Sequence, residues 1–140
     1  MSEPECVFEI EIRATPEAVW EAITSPDWTR RYFHDTAVRS SWQPGAKVVW
    51  ELPDGSVASE GELLEVEFPR RIVHTWLFHY DPALAREASS RVSWEIEDLG
   101  DRCRLTVVHD RLEGAPKTRD VVRGGWAAIL AGLRDAVTAA

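Results

Sequence analysis

The chain has 140 residues, 44% hydrophobic and 29% charged, which is the composition of a single ordinary globular domain. Twenty-four acidic residues against sixteen basic ones give a formal charge of −8, which disfavours nucleic acid and anionic membrane surfaces as partners. No apolar run approaches the roughly 20 residues of a spanning helix, and the acidic start MSEPEC lacks the basic and apolar regions of a signal peptide, so a cytoplasmic location is expected.

The first segment alternates strictly, as a half-buried strand should: Phe8, Ile10 and Ile12 point one way, and Glu9, Glu11 and Arg13 the other. Thr15-Pro16-Glu17 then combines an N-cap hydroxyl, a proline at the first helical position and an acid near the positive end of the helix dipole. Ser25-Pro26-Asp27 repeats the signal at once, so two short helices follow in tandem, the second carrying Trp28, Tyr32 and Phe33. From residue 35 to 110 the pattern is strand after strand, over 46–51, 57–68, 72–79, 91–97 and 102–109. Turns at Pro44-Gly45, Pro53-Asp54-Gly55, Phe68-Pro69-Arg70 and Asp98-Leu99-Gly100 separate them, and short turns mean an antiparallel meander. Gly61 is expected to mark a bulge, and the stretch 80–90 a loop with room for one helical turn.

After Pro116 the period becomes helical, with Val122, Trp126, Ile129, Leu130, Leu133 and Val137 on one face. Gly124 and Gly125 lie inside this helix, where each costs roughly 1 kcal/mol relative to alanine, so something should offset them. Close passage over the sheet is the simpler explanation, and a hinge or portal the sharper one.

Seven tryptophans are spread from Trp20 to Trp126, at least one in nearly every element. Each indole buries roughly 150–250 Å² and suits a cavity wall as well as a packed core. So many in one small domain point to an aromatic interior that encloses something. Chemistry-bearing motifs are lacking. Gly45, Gly55 and Gly61 form no phosphate loop, and no nucleophile elbow or Ser-His-Asp spacing occurs. Cys6, Cys103 and the four histidines have no metal-ligand spacing, so neither a cofactor nor a metal is expected.

Ala14-Thr15-Pro16-Glu17-Ala18-Val19-Trp20-Glu21-Ala22-Ile23-Thr24 resembles the opening of the START/Bet v 1-like superfamily. Gly61-Glu62-Leu63-Leu64-Glu65-Val66, Pro69-Arg70-Arg71, Arg91-Val92-Ser93-Trp94-Glu95-Ile96, Arg104-Leu105-Thr106-Val107-Val108-His109 and Gly124-Gly125-Trp126-Ala127-Ala128-Ile129-Leu130-Ala131-Gly132-Leu133 are similar to its AHSA1-like members. The resemblance covers essentially all of residues 1–140. It implies an α+β helix-grip fold in one domain. A curved seven-stranded antiparallel sheet would wrap a long C-terminal helix, with the short helix pair after strand 1.

Strand alternation sorts the interior. Ile72, His74, Trp76, Phe78 and Tyr80 share one face; so do Val92, Trp94 and Ile96, and so do Cys103, Leu105, Val107 and His109. The parity of the 46–51 strand is ambiguous, with Trp50 preferred inward, and Trp126 faces them all from the helix. Trp50, His74, Trp76, Trp94, His109 and Trp126 are therefore the candidate ligand-binding residues. The histidines have two readings, a buried imidazole hydrogen-bonded for architecture or a proton carrier, and the first is preferred. Glu60, Glu62, Tyr80 and Asp110 are further acid–base candidates without a partner set by spacing.

Three functions compete. The leading one is a binding protein for a hydrophobic or aromatic small molecule. The second is a cyclase- or hydratase-like enzyme using His74 or His109 as base. The third, implied by the resemblance, is a protein-interaction module, with a homodimer partner or an Hsp90-type chaperone. The eukaryotic co-chaperones of the family carry an additional N-terminal domain, which argues against Hsp90 activation. Finally, the first and last strands should be antiparallel neighbours that place Cys6 beside His109. Cys6 and Cys103 would then lie apart and stay reduced.

Overall fold

A computed structural model describes residues 5–139 of the chain; residues 1–4, read above for targeting signals, lie outside them. Eleven elements follow in order: β1 (Cys6–Ile12), α1 (Pro16–Thr24), α2 (Pro26–Tyr32), β2 (Ala37–Arg39), β3 (Lys47–Glu51), β4 (Val57–Glu67), β5 (Arg71–Phe78), α3 (Pro82–Ala85), β6 (Ser90–Asp98), β7 (Cys103–Asp110) and α4 (Pro116–Ala139). The helix starts read from the sequence are present: Thr15 Oγ1 accepts the Ala18 N–H at 3.2 Å, and a proline opens each of α1, α2 and α3.

The seven strands form one antiparallel sheet in the order β1-β7-β6-β5-β4-β3-β2. Strands β2 to β7 are a meander, and β1 closes it by pairing with β7, Cys6 opposite His109 and Ile12 opposite Cys103. The expected register therefore holds, and both cysteines are buried and free. The register shifts between Trp50 and Glu51 and between Leu63 and Glu65, and such bulges bend strands and increase local twist. Gly61 is not one of them; it pairs regularly with Val48. Its role is close approach, since a Cβ there would lie 1.9 Å from the Thr75 carbonyl oxygen of the neighbouring strand.

Helix α4 packs against β1 and α2, with Val122, Trp126, Ile129, Leu130, Leu133 and Val137 all buried as its periodicity predicts. Its first turn is capped from outside the helix. The Glu87 carboxylate, just beyond α3, accepts the backbone N–H groups of Lys117 and Thr118 at 2.9 and 2.8 Å and the Thr118 hydroxyl at 2.9 Å. The outer sheet face is charged. Arg104 meets Glu9, Glu11 and Glu97, and Arg71 meets Glu65 and Glu95, each pair joining neighbouring strands. Alternation thus assigns charge to water and aromatics to the helix side.

Candidate functional site

The inward faces of β3, β5, β6 and β7 and the facing side of α4 meet in an aromatic cluster. The Trp50 and Trp76 rings lie 4.7 Å apart, and Trp50 lies 5.1 Å from the His74 ring. Phe33, at the end of α2, stacks on Trp50 at 6.0 Å and meets Trp126 edge-on at 5.9 Å. Trp94 and Trp126 form a T-shaped pair at 5.3 Å. The ambiguous parity of β3 is thereby resolved, with Trp50 inward.

Two histidines satisfy two of the indoles. The Trp94 indole N–H donates to His74 Nε2 at 3.0 Å, so His74 carries its proton on Nδ1 and donates it to the Thr75 carbonyl at 2.8 Å. The Trp126 indole N–H donates to His109 Nδ1 at 3.0 Å, and His109 Nε2 donates to the Ser90 hydroxyl at 2.6 Å. Ser90 in turn donates to the Trp76 carbonyl at 3.4 Å. Each imidazole is therefore held in one neutral tautomer with its lone pair filled by an indole. Burial pushes the His74 pKa down to about 4, against the opposing pull of the Thr75 carbonyl. Burial likewise lowers His109 to about 3, with nearby His74 adding to the effect and Asp110 opposing it. A general base needs a free lone pair and a pKa near the working pH. Neither ring has them.

Beside this cluster lies a cavity of about 560 Å³, between α4 and the β4–β5 side of the sheet. Trp76, Phe78, Ala58 and Ser59 form its sheet wall, and Val122, Gly125, Trp126 and Ile129 its helix wall. Phe33, His34 and Thr36, from the connection after α2, close one side. Tyr80 and Val121, both lining residues, are exposed at the rim. No Asp, Glu, Lys or Arg side chain is among the described lining residues. A cavity of this size and polarity falls within the range that takes small apolar molecules.

Of the six candidate residues, Trp76 and Trp126 form cavity wall, whereas Trp50, His74, Trp94 and His109 are buried and not part of its lining. The histidine that does line the cavity is His34, in left-handed backbone at φ 52°. It and Phe33 carry no periodic signal because they belong to an irregular connection, so the sequence reading assigned neither to the site. Tyr80 lines the rim, whereas Glu60 is engaged by Lys47 and His79 at the surface. Asp110 is held by two hydrogen bonds from Arg91, at 2.9 and 2.6 Å. Gly124 and Gly125 also line the cavity, and a Cβ on either would meet nothing within 4 Å. Close passage is therefore not what keeps them. That role belongs to Gly132, where a Cβ would lie 3.0 Å from Tyr32 Cβ.

A curved antiparallel sheet gripping one long C-terminal helix, with a cavity between them, defines a helix-grip protein. Residues 13–138 match the family model described as activator of Hsp90 ATPase homolog 1-like protein, and the chain belongs to that family. No curated protein matches the sequence. Solved structures do match. A protein of Mesorhizobium loti aligns with TM-score 0.78 and 20% identity over 96% of this chain and 97% of its own. The Aha1 dimer from Colwellia psychrerythraea aligns with TM-score 0.75 and 14% identity over 96% of both chains. An HSP90 activator from Plasmodium falciparum aligns with TM-score 0.70 and 18% identity over 92% of both. At such identities the likeness is one of fold.

Proposed function

We propose that this protein is a cytoplasmic binding protein that holds a hydrophobic or aromatic small molecule between α4 and the sheet. The observation that carries this reading is the cavity of about 560 Å³ with its aromatic and aliphatic walls. The glycine pair supports it. Two glycines in mid-helix cost roughly 1 kcal/mol each, a Cβ on either would meet nothing within 4 Å, and both border the cavity, Gly124 at its exposed edge. The hydrogen bonds argue against His74 or His109 as the base of an enzyme, because each lone pair already accepts an indole N–H.

The test uses the two cavity tryptophans. Titration with neutral polycyclic aromatics should quench or shift the intrinsic emission, and native mass spectrometry of the purified protein should show a bound small molecule or its uptake from such a panel. Unchanged emission together with an unliganded mass throughout the panel would refute the binding reading.

A further inference from the structure

Among the described lining residues, His34, Thr36, Ser59, Trp76, Tyr80 and Trp126 have side chains with a polar atom. Most are committed, sealed or exposed. The Trp126 N–H donates to His109, Thr36 Oγ1 donates to the Phe33 carbonyl at 2.5 Å, Trp76 Nε1 is closed off from solvent, and His34 and Tyr80 are exposed. Ser59 differs from all of them. It is only 2% exposed, and its hydroxyl has no hydrogen-bond partner among the described residues. Nor is Ser59 Oγ one of the sealed, unpaired atoms, which are Trp76 Nε1, Arg104 Nε and Arg119 Nε. Buried hydroxyls are nearly always hydrogen-bonded, and one left unpaired costs stability. The backbone aims this one. Ser59 lies opposite Trp50 of β3 and Phe78 of β5, so the three side chains share the inward face. The register shift between Trp50 and Glu51 falls beside it, and Ala58 and Ser59 both line the cavity where regular alternation would present only one. A serine has no side-chain atom beyond Oγ, so what it brings to the wall is its hydroxyl.

We infer that Ser59 orients the occupant of this cavity, and that the occupant is an uncharged aromatic molecule bearing one hydroxyl or carbonyl oxygen hydrogen-bonded to the Ser59 hydroxyl. This rests on the binding reading above and specifies the chemistry of the occupant. An oxygen follows because Ser59 Oγ is unpaired and unsealed: an atom that water can touch is one that another oxygen can approach to hydrogen-bond distance. A hydroxyl both donates and accepts, so an alcohol and a ketone satisfy it alike. A single oxygen follows because Ser59 is, among the described lining residues, the one polar side chain that is buried, unsealed and uncommitted. The apolar walls of Phe78, Val122 and Ile129 give a second polar group no side chain to bond. Neutrality follows from the absence of Asp, Glu, Lys and Arg among the described lining residues, since an ion would lose hydration there without gaining a counter-charge.

The experiment compares fluorene with 9-fluorenone and 9-hydroxyfluorene, which keep its tricyclic frame and add one oxygen at the same carbon. In the wild-type protein both oxygenated molecules should bind about 3- to 10-fold more tightly than fluorene, the gain expected from one neutral hydrogen bond in an apolar site. In Ser59→Ala both preferences should fall to near unity, with the affinity for fluorene kept. Tyr80→Phe, which removes only the hydroxyl at the rim, should retain them. Because the Ser59 hydroxyl bonds to nothing within the described protein, Ser59→Ala should melt at the wild-type temperature or above it. Equal affinities for the three molecules in the wild type, or a preference that survives Ser59→Ala, would overturn the inference while leaving the binding reading intact. So would a preference lost in Tyr80→Phe instead, or a melting temperature lowered by Ser59→Ala, which would assign the hydroxyl to the fold. Failure of all three molecules to bind the wild type would sink the binding reading and the inference with it.

Discussion

At the scale of single residues, the two Trp–His pairs turn polar groups into core. An imidazole is the only side chain that accepts from an indole with one nitrogen and donates to the main chain or a hydroxyl with the other while staying uncharged. The arrangement is sensitive to pH. Protonating either ring would set its new N–H against the indole N–H that it now accepts. Because burial lowers the folded-state pKa of His74 to about 4 and of His109 to about 3, from an ordinary 6.5, the unfolded chain binds these protons first. Stability should therefore be constant above about pH 7 on their account and fall as the pH drops below 6.5. The loss should approach about 1.4 kcal/mol per pH unit for each histidine down to its folded pKa. Urea unfolding followed from pH 8 to pH 4 measures this, and a flat profile below 6.5 would contradict the tautomers assigned here. His74→Ala and His109→Ala should each cost roughly 2–5 kcal/mol, since each opens a cavity and strands an indole donor. His79→Ala, exposed and paired with Glu60 at the surface, should change stability by less than about 0.5 kcal/mol.

At the scale of elements, glycines separate packing from function. Alanine at Gly124 or Gly125 touches nothing and sits in mid-helix, so each substitution should stabilise the fold by roughly 0.5–1 kcal/mol. The same methyl groups enter the cavity boundary and should weaken ligand binding. Gain of stability with loss of affinity is the signature expected of residues kept for the site. Gly61→Ala should destabilise the fold, because its Cβ would strike the backbone of β5, which cannot give way without breaking the ladder. Thermal melts of the three variants, with binding of the neutral polycyclic aromatics measured in parallel, test the whole set. The sequence already marked Gly124 and Gly125 as anomalous on propensity alone. It favoured close passage, and only the empty space beside them reverses that choice.

At the scale of the whole molecule, closure of the sheet by β1 makes the two cysteines reporters of global opening. Cys6 and Cys103 are both buried, on different strands of one antiparallel pair but not opposite each other. The Cys103 thiol donates to the Ala14 carbonyl at 3.1 Å, and burial, with Asp98 and Glu17 nearby, pushes its pKa up to about 11. Neither thiol should react with an alkylating reagent in the native protein at pH 8, and both should react in denaturant without prior reduction. A Cys6–Cys103 disulfide would contradict the β1–β7 register and the inward faces that depend on it.

Strand and helix periods, proline-led helix starts and turn residues are local, so they were legible from end to end. They placed Phe8 to Ile12, Ile72 to Phe78, Val92 to Ile96 and Cys103 to His109 on the correct side of the sheet. Alternation sets the direction in which a side chain points, not how far away the opposite wall stands. Hence Trp50 and Trp94 were indistinguishable in sequence from Trp76 and Trp126, although only the last two line the cavity. The use of His74 and His109 as indole acceptors, the Glu87 cap on α4, and the closing of the cavity by Phe33 and His34 all join residues far apart in the chain. Their partners are chosen by the curvature of the sheet and the seat of the helix. Those are properties of the assembled fold, and no local period encodes them.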